Sequence, residues 1–387
     1  MKDNNKMRIA ILGSRGIPNR YGGFEIFTQG LSIKLAKLGY QVFVSCESPK
    51  EEKKNLPSNY EEAYLFYFPI RPPKSYTLRK IYEVLYDGYS LLKASWQLDC
   101  DCVYMLGYAA SIFFFIPKIF GKTLIVNADG LEWKRVKFSR LEKTLLLMCE
   151  KLMVVFSDKI IADSKMIKKY LDHKYHIKTK FIPYGVENFP KIDWDIKKLP
   201  EILKGKIHSN NYWLVVTRLE PENNIHTIIN GYLASNSQKP LILIGDFTSL
   251  KYKESIKNIL ATKPPEKEVI FTGGIYCPDV LNTLRQNCFV YIHGHSAEGT
   301  SPALLEAMTL KRIIIAYRSK CAQEVGGDSL LYYKNYEELK KNINNIENSP
   351  GSFFMLKDRV YKRAKKYYFW NKIIKEYDDF FSIYKSK

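Results

Sequence analysis

The chain has 387 residues, of which 46% are hydrophobic and 14% aromatic, and its formal net charge is +20. This length exceeds the usual size of one domain, so we expect two domains with separate cores, and the apolar content excludes a disordered chain. The charge is spread out without a run of five or six cations. It therefore disfavours a nucleic-acid-binding protein and suits a phosphorylated substrate or anionic lipid.

The cysteines and the apolar stretches indicate the cellular compartment in which the protein is expected. The seven cysteines are odd in number and mostly scattered through apolar segments, as is typical of reduced thiols in the cytosol. The opening MKDNNKMRIAILG contains no signal-peptide core. The most apolar stretch, YMLGYAASIFFFIPKIFG, is interrupted by Pro117 and Lys118 and is shorter than the about 20 residues of a membrane span. We expect a cytoplasmic protein, peripheral on the cytoplasmic face of the plasma membrane.

The first half of the chain alternates apolar runs with helical patterns. RIAILG, at residues 8–13, is typical of a strand buried on both faces of a parallel sheet. A glycine-rich loop, an amphipathic helix ending at Gly39 and the strand QVFVSCE follow it, which together form a βαβ unit. The pattern continues with AYLFYFPI, a helix over about 76–96, CVYMLG, TLIVNADG, a helix over about 139–155, KIIADS and KFIPYGV.

A second alternation follows a polar, proline-containing connection near residues 188–206. Its predicted elements are WLVVTR, a helix near 224–235, PLILIGD, a helix near 250–260, EVIFTGG, a helix near 278–287, FVYIHG, a helix from Thr300, RIIIAY and LLYY. The predicted fold is α/β, with two doubly wound Rossmann-like domains, 1–188 and 189–365, that face a cleft. Residues 366–387 are predicted to form a helix that returns to the first domain. Ligands of such domains bind at the carboxyl ends of the strands, so the cleft is the expected site.

The loop after the first strand is rich in glycine. Gly13, Gly16, Gly22 and Gly23 do not fit the G-x-G-x-x-G fingerprint, although Glu47, at the end of the second strand, is placed like the ribose-binding acid of a dinucleotide fold. The two glycines that precede the first helix suit a backbone that approaches a phosphate or a sugar. A plain tight turn is the alternative.

Three carboxylates lie near the ends of predicted strands. Asp99 and Asp101 have the D-x-D spacing of metal-dependent glycosyltransferases, but they precede a predicted strand instead of following it. We therefore expect two solvent-exposed aspartates at the start of the strand, and no metal site. Asp129 follows a strand and is expected to face the cleft, unless it is an ordinary turn residue before Gly130.

Arg218 also follows a predicted strand directly. A guanidinium can hold a planar diphosphate through paired hydrogen bonds, so Arg218 is a candidate phosphate contact. An arginine that merely covers the strand end is the alternative, and it is preferred if this residue is considered alone.

The stretch HSAEGTSPALLEAM places two carboxylates around a predicted helix start. Thr300 or Ser301 can cap a helix that begins at Pro302, and this start presents backbone N–H groups to an anion. Glu298 precedes the helix and Glu306 lies one turn inside it. A carboxylate would be repelled by phosphate, so both are expected to contact hydroxyls. The stretch predicts a nucleotide-sugar site, with a capped helix carrying a surface glutamate as the alternative.

Together these motifs resemble those of the family 4 retaining glycosyltransferases of GT-B fold. The resemblance rests on the tandem domains, a GGxE opening (Gly22, Gly23 and Glu25), the arginine after the first strand of the second domain, and an E-x7-E pair closed by LLEAM. ILGSRGIPNRYGGFE, NADGLEWKR and RLEPENN are further similar to bacterial rhamnosyltransferases that use dTDP-β-L-rhamnose in capsule, O-antigen or cell-wall polysaccharide biosynthesis. The wider family has a lysine where this chain has Asn223, and many members have a histidine at the position of Asp129.

The resemblance implies a metal-independent hexosyltransferase that retains anomeric configuration without a covalent enzyme intermediate. It implies that Asp129, Arg218 and Glu298 serve the chemistry and that Glu25 lies on the acceptor side. The implied donor-binding residues are Gly22, Gly23, Asn223, Gly299, Thr300, Ser301 and Glu306. The implied partners are dTDP-rhamnose and a lipid-diphosphate-linked saccharide, with no nucleic acid. A UDP- or GDP-sugar donor is the alternative, and a nicotinamide-dependent oxidoreductase is a distant one.

One segment of the first domain is a candidate for contact with a membrane. FPIRPPKSYTLRKIYEVLYDGYSLLKASW mixes cations with aromatic residues in the first domain. It is predicted to rest on anionic lipid, or else to be a solvated helix.

Overall fold

The computed structural model describes residues 7–18, 22–49, 56–73, 75–128, 130–135, 138–192, 194–296 and 299–384. The chain divides into two compact units, the first formed by residues 1–134, 138–185 and 370–387 and the second by residues 135–137 and 186–369. Each unit is built on a mainly parallel sheet, which confirms the predicted α/β class with two Rossmann-like domains. The predictions for Asp129 and Glu298 lie outside the described residues.

The first unit contains an eight-stranded sheet. Its strands are β1 (Arg8–Leu12), β2 (Gln41–Cys46), β3 (Asn59–Tyr60), β4 (Ala63–Tyr67), β5 (Cys102–Leu106), β6 (Thr123–Ala128), β7 (Lys159–Ala162) and β8 (Lys180–Phe181), in the order β3-β4-β2-β1-β5-β6-β7-β8. Only the short β3, among the described strands of this sheet, runs antiparallel to its neighbour. The helices are α1 (Gly23–Lys37), α2 (Tyr76–Leu92), α3 (Phe115–Ile119), α4 (Arg140–Phe156) and α5 (Lys165–Tyr175).

One face of this sheet carries a large buried cluster. Leu91 at the end of α2, Phe114 before α3, Met153 of α4 and Ile167 of α5 belong to one buried cluster with strand residues such as Val103. The helices α2, α3, α4 and α5 therefore cover the same face of the sheet.

The second unit contains a six-stranded parallel sheet. Its strands are β9 (Trp213–Val216), β10 (Leu241–Ile244), β11 (Val269–Gly273), β12 (Val290–His293), β13 (Ile313–Tyr317) and β14 (Leu331–Tyr333), in the order β11-β10-β9-β12-β13-β14. Its helices are α6 (Ile225–Leu233), α7 (Leu250–Ala261), α8 (Pro278–Asn287), α9 (Pro302–Thr309), α10 (Lys320–Gly326), α11 (Tyr336–Asn348) and α12 (Phe354–Tyr367). Isoleucines and valines of the central strands fill a second, separate core.

The end of the chain forms two helices. After α12, the backbone at Tyr368 and Phe369 leaves the helix and pairs with Val186, whose N–H donates to the Tyr368 carbonyl over 2.8 Å. The last helix, α13 (Trp370–Ser382), belongs to the first unit. The ring of Trp370 stacks at 5.9 Å on Phe27 of α1, and a Cβ at Gly30 would lie 2.6 Å from that tryptophan. A glycine is therefore required where α13 crosses α1.

Within the described part of the chain, none of the helices combines the length and the apolar character that a membrane span requires.

Candidate active site

The strand order of the second unit marks where a ligand is expected. From β9 the chain proceeds outward to β10 and β11 on one side, whereas β12, β13 and β14 lie on the other side. Doubly wound sheets bind ligands in the crevice at this switch point, outside the carboxyl ends of the strands. Arg218 follows β9, and residues 294–301 follow β12. The two segments singled out by the sequence therefore flank the same crevice.

Arg218 lies at the rim of this crevice. Its Nη1 lies 3.7 Å from Glu220 Oε1, and the Arg218 side chain is 42% exposed while that of Glu220 is buried. This distance is that of a loose ion pair, which orients the guanidinium without covering it. A guanidinium held in this way remains accessible to an anionic ligand.

Asn223 is hydrogen-bonded within the loop that carries Arg218. Its side chain is buried, and Nδ2 donates to the Arg218 carbonyl over 2.7 Å. The amide is thus used inside the loop that carries Arg218. Asn223 therefore helps to position this loop, and its predicted contact with the donor stays a prediction.

Hydrogen bonds join the loops after β9 and β12. The N–H and the hydroxyl of Ser296 both donate to the Glu222 carbonyl, over 3.0 and 2.8 Å. Asn224 Nδ2 donates to the Gly294 carbonyl over 2.8 Å. The backbones approach so closely that a Cβ on Gly294 would lie 2.0 Å from the Asn223 carbonyl oxygen. The two loops therefore form one preorganised surface.

The helix α9 begins directly after the loop that follows β12. Ser301 is the residue that caps the helix by position, yet its side chain makes no capping hydrogen bond, and Pro302 occupies the first helical position. Gly299, Thr300 and Ser301 are buried beside it. The prediction of a side-chain cap is therefore wrong for Ser301. The Ser301 side chain therefore does not occupy the N-terminus of α9, a position that favours an anionic ligand.

Glu306 lies inside α9 and forms a buried ion pair that the sequence analysis missed. Arg285 Nη1, on α8, lies 2.7 Å from Glu306 Oε2, and the two side chains are 5% and 11% exposed. The guanidinium thus holds the Glu306 carboxylate in place by charge. No sequence motif links the two residues, because they lie on different helices.

Two histidines line the start of the loop after β12. The rings of His293 and His295 stack with centroids 4.4 Å apart, and His295 Nε2 lies 3.2 Å from Thr217 Oγ1. Because Thr217 immediately precedes Arg218, the contact between His295 and Thr217 is a further link between the loops after β9 and β12. His295 begins the stretch HSAEGTSPALLEAM, but no local pattern in the sequence predicts its contact with Thr217.

A cavity of about 540 Å³ opens next to the Arg218 loop. Its lining includes Leu219, the segment from Gly245 to Leu250, and Phe271. Gly245 has φ 143°, and a Cβ there would lie 1.8 Å from the Thr217 carbonyl oxygen, so no larger residue fits. Asp246 is fixed in the wall by the Gly274 N–H at 3.0 Å and the Tyr276 hydroxyl at 2.7 Å. The cavity has the size of a small-molecule pocket.

In the first unit, the loop after β1 also follows a switch point, between β1 and β5. Gly22 is exposed, has φ 103° and precedes α1, which begins at Gly23. Glu25 is buried, and its Oε1 accepts the Arg15 N–H over 2.9 Å. Burial raises the pKa of the Glu25 carboxyl, partly offset by that hydrogen bond. Glu25 therefore positions the glycine loop, and its predicted contact with an acceptor stays a prediction.

A charged cluster lies beside this loop. Arg79 pairs with Glu47 and, at 3.0 Å, with Glu83, which also contacts Arg15 at 3.3 Å. Burial and the neighbouring carboxylates raise the pKa of Asp87 well above its usual value. Glu47, which suggested a dinucleotide fold, is thus engaged by an arginine of its own unit.

The aspartates of the D-x-D pair lie at the entrance to β5. Asp101 accepts the Arg8 N–H over 2.8 Å, and Asp99 pairs with Lys122 at 2.5 Å. Both therefore have partners within the protein. Across the described residues, no group of three or more histidine, cysteine, aspartate or glutamate side chains is arranged to hold a metal ion.

Two family models match the chain. Residues 6–187 match the family described as "Domain of unknown function (DUF1972)", and residues 202–367 match "Glycosyl transferases group 1". The group 1 glycosyl transferase model therefore covers most of the second unit. No curated protein matches the chain in sequence.

Solved structures share the fold across nearly the whole chain. Sucrose-phosphate synthase from Thermosynechococcus elongatus is 15% identical, with a TM-score of 0.81 and coverage of 97% of this chain and 98% of that one. HepE from Anabaena, in complex with UDP-glucose, is 16% identical, with a TM-score of 0.72 and coverage of 97% and 99%. A glycosyltransferase from Rickettsia africae is 14% identical, with a TM-score of 0.69 and coverage of 99% and 100%. At such identities the likeness establishes the GT-B fold.

Proposed function

We propose that this chain, a glycosyltransferase of GT-B fold with a group 1 domain, transfers L-rhamnose from dTDP-β-L-rhamnose to a lipid-diphosphate-linked saccharide. The transfer retains anomeric configuration and serves cell-surface polysaccharide biosynthesis. The protein works in the cytoplasm, on the cytoplasmic face of the plasma membrane. The observation that supports a nucleotide-sugar substrate is the crevice at the β9–β12 switch point, which is flanked by the loop that carries Arg218 and by the loop that leads into α9.

The phosphates of the donor bind between these two features. Arg218 supplies a guanidinium for paired hydrogen bonds, and the first turn of α9 supplies N–H groups near the positive end of the helix dipole. Ser296 and Asn224 tie the two loops together, so these donors are already in place before the leaving group develops charge. Such preorganisation is what stabilises a developing anion.

The nucleoside binds beside the phosphates. Glu306 accepts from a sugar hydroxyl of the nucleoside, and the cavity lined by Leu219 and the segment after β10 is large enough for a base. Arg285 Nη1 holds the Glu306 carboxylate at Oε2. Each carboxylate oxygen has two lone pairs and can accept from one or from two hydroxyls, so this contact suits a ribose and the 2′-deoxyribose of dTDP alike.

The reaction follows from this binding mode. The acceptor hydroxyl forms a bond to the anomeric carbon on the face from which the diphosphate departs, and the bond between that carbon and the phosphate oxygen breaks. The proton of the acceptor passes to an oxygen of the leaving phosphate. Arg218 and the α9 amides hold the charge of the departing diphosphate. We also propose that Glu298 and Asp129 contact the transferred sugar, and that the loop held by Glu25 receives the acceptor.

A different donor is the principal alternative. The Anabaena HepE structure contains UDP-glucose, and a UDP- or GDP-sugar would use the same phosphate contacts. A nicotinamide-dependent oxidoreductase is supported less well, because the loop after β1 lacks the glycine fingerprint and Glu47 pairs with Arg79.

The test offers the protein dTDP-rhamnose, UDP-glucose and a GDP-sugar in turn, with a lipid-diphosphate saccharide acceptor, and determines the product by mass. We expect an added mass of one deoxyhexose with dTDP-rhamnose alone. Transfer of a hexose from UDP-glucose at a higher rate would reject the rhamnose donor. Thermal stabilisation by NAD, with none by dTDP or UDP, would reject the glycosyltransferase site itself.

A further inference from the structure

An unusual share of the exposed apolar side chains lies on one part of the first unit. Among the described residues, thirteen of the twenty-five exposed large hydrophobic side chains fall between residues 78 and 155, and they are 37–71% exposed. We call this set the apolar face; it comprises Leu78, Ile81, Leu85, Leu92, Trp96, Ile112, Phe115, Ile119, Phe120, Leu141, Leu145, Met148 and Val155. Single exposed hydrophobics are ordinary, but a contiguous patch of this kind marks an interaction site.

The residues of α4 form a stripe along one side of that helix. Leu141, Leu145, Met148 and Val155 follow one another at spacings of four, three and seven residues, which place them on one helical face. Met153, on the opposite side, is fully buried in the core of the first unit. The helix is thus apolar on both sides, although only one side contacts the core.

The outer side of α2 repeats this pattern. Leu78, Ile81, Leu85 and Leu92 recur at three-, four- and seven-residue spacings. The two helices are joined by an ion pair between Lys80 and Glu142. The two stripes therefore lie on neighbouring helices that cover the same face of the sheet.

Aromatic residues continue the patch around α3. A Cβ at Gly88 of α2 would lie 2.7 Å from the ring of Phe113, so the segment before α3 packs directly on α2. Phe115, Ile119 and Phe120 are exposed on and after α3, and Trp96 is exposed just after α2. The apolar face is therefore broader than the segment of α2 that the sequence predicted to meet lipid.

Cations accompany this face, and its acids are paired. Glu142, Asp158 and Asp99 form ion pairs with Lys80, Lys118 and Lys122. Further cations on the same elements are Lys93, Arg140, Lys143 and Lys151. Residues 1–186 contain 30 basic and 18 acidic residues, a net charge of +12. Two copies packed face to face would bring like charges together, whereas an anionic surface would be attracted.

We propose that the apolar face is a docking surface for a lipid bilayer that carries anionic headgroups. Leucine, methionine and aromatic side chains enter the boundary between headgroups and acyl chains, and the bordering cations contact the headgroups. The inference deepens the proposed function and rests on it in one respect only, namely that a docked enzyme meets its acceptor at the membrane surface. Binding to the bilayer itself follows from the face alone.

The test measures co-sedimentation of the full chain with vesicles of phosphatidylcholine, with and without phosphatidylglycerol. We expect binding to the anionic vesicles, weakened at least about tenfold by Leu145→Asn with Met148→Asn, because interfacial affinity scales with buried apolar area. Arg140→Glu with Lys151→Glu should remove the preference for phosphatidylglycerol. The matched control, Ile202→Asn with Met355→Asn, changes exposed apolar residues of the second unit and should bind like wild type.

Several outcomes would overturn the proposal. These are failure of the wild type to bind anionic vesicles, an equal loss in the control variant, or a dimer in lipid-free solution that Leu145→Asn with Met148→Asn dissociates. Melting temperatures of all variants should match the wild type, since the changed side chains are exposed. Vesicle binding without rhamnose transfer would reject the proposed donor and leave the docking surface standing. Loss of transfer to a vesicle-bound acceptor, with unchanged transfer to a soluble one, would support both.

Discussion

Arg285 and Glu306 form a buried ion pair that joins α8 to α9, with 2.7 Å between Nη1 and Oε2. The pair holds the carboxylate that we propose binds the nucleoside. It also links the helix whose first turn faces the phosphates to a neighbouring helix. A buried charge left without its partner is costly, so this contact connects the stability of the second unit to nucleotide binding.

Replacing Arg285 by alanine should therefore destabilise the protein and weaken nucleotide binding together. We expect a loss of about 3–5 kcal/mol in the free energy of unfolding, because the variant leaves the Glu306 carboxylate buried without a cation. Urea unfolding measures the first effect, and titration with dTDP at a temperature where the variant is folded measures the second.

The double variant Arg285→Met with Glu306→Leu separates the two roles. It removes both charges, so its stability should return close to that of the wild type, since apolar replacement of a buried pair is often neutral. Its affinity for dTDP should stay low. Wild-type affinity in the double variant would show that Glu306 does not contact the nucleotide.

Arg218→Ala should reduce kcat by about a hundred- to a thousandfold, or about 3–4 kcal/mol of transition-state stabilisation, because a preorganised donor to the leaving diphosphate is lost. Arg218→Lys should recover only part of the rate, since an ammonium cannot form the same paired hydrogen bonds. Initial rates at saturating donor measure the effect. Turnover of Arg218→Ala within tenfold of the wild type would remove this residue from the site.

Trp370→Ala should cost about 3–5 kcal/mol in the free energy of unfolding, the usual range for deletion of a buried aromatic ring. Trp370 is 5% exposed and stacks on Phe27, so its removal leaves a cavity between α13 and α1. Trp96→Ala is the matched control, because that ring is 61% exposed. Equal melting temperatures for the two variants would contradict the packing of α13.

Glu142 should contribute an acid-sensitive part of the stability. Its contact with Lys80 and its capping hydrogen bonds with Ser139 lower the pKa of the carboxyl from 4.5 to about 2. A lowered pKa means that the folded state favours the ionised form, so the contribution is present above pH 4.5 and is lost as the pH falls toward 2. Glu142→Gln should flatten the dependence of the unfolding free energy on pH in this window. An unchanged slope would contradict the ion pair.

Much of the fold followed from local patterns. The apolar runs at β1, β5 and β9 and the helices α1, α2 and α4 are predicted by the sequence, because a strand buried on both faces and an amphipathic helix each have a periodicity that is visible within a few residues. The helix α5 is not predicted, because most of its residues are polar and only Ile167 and Leu171 are its buried positions. Residues 366–387 are predicted to form one helix, whereas the structure interrupts the helix at Tyr368. This interruption coincides with pairing to Val186, which is distant in the chain.

The amino-acid sequence by itself determined which residues follow which strands, and hence that Arg218 and the E-x7-E stretch lie at the carboxyl ends of parallel strands. Their spacing is local, and a parallel sheet brings such ends to one edge. Only the tertiary structure decided that Asn223 turns inward to the Arg218 carbonyl, that Arg285 pairs with Glu306, and that the stripes of α2 and α4 lie on one face. Those relationships depend on packing between segments that are far apart in the chain, and no local periodicity encodes them.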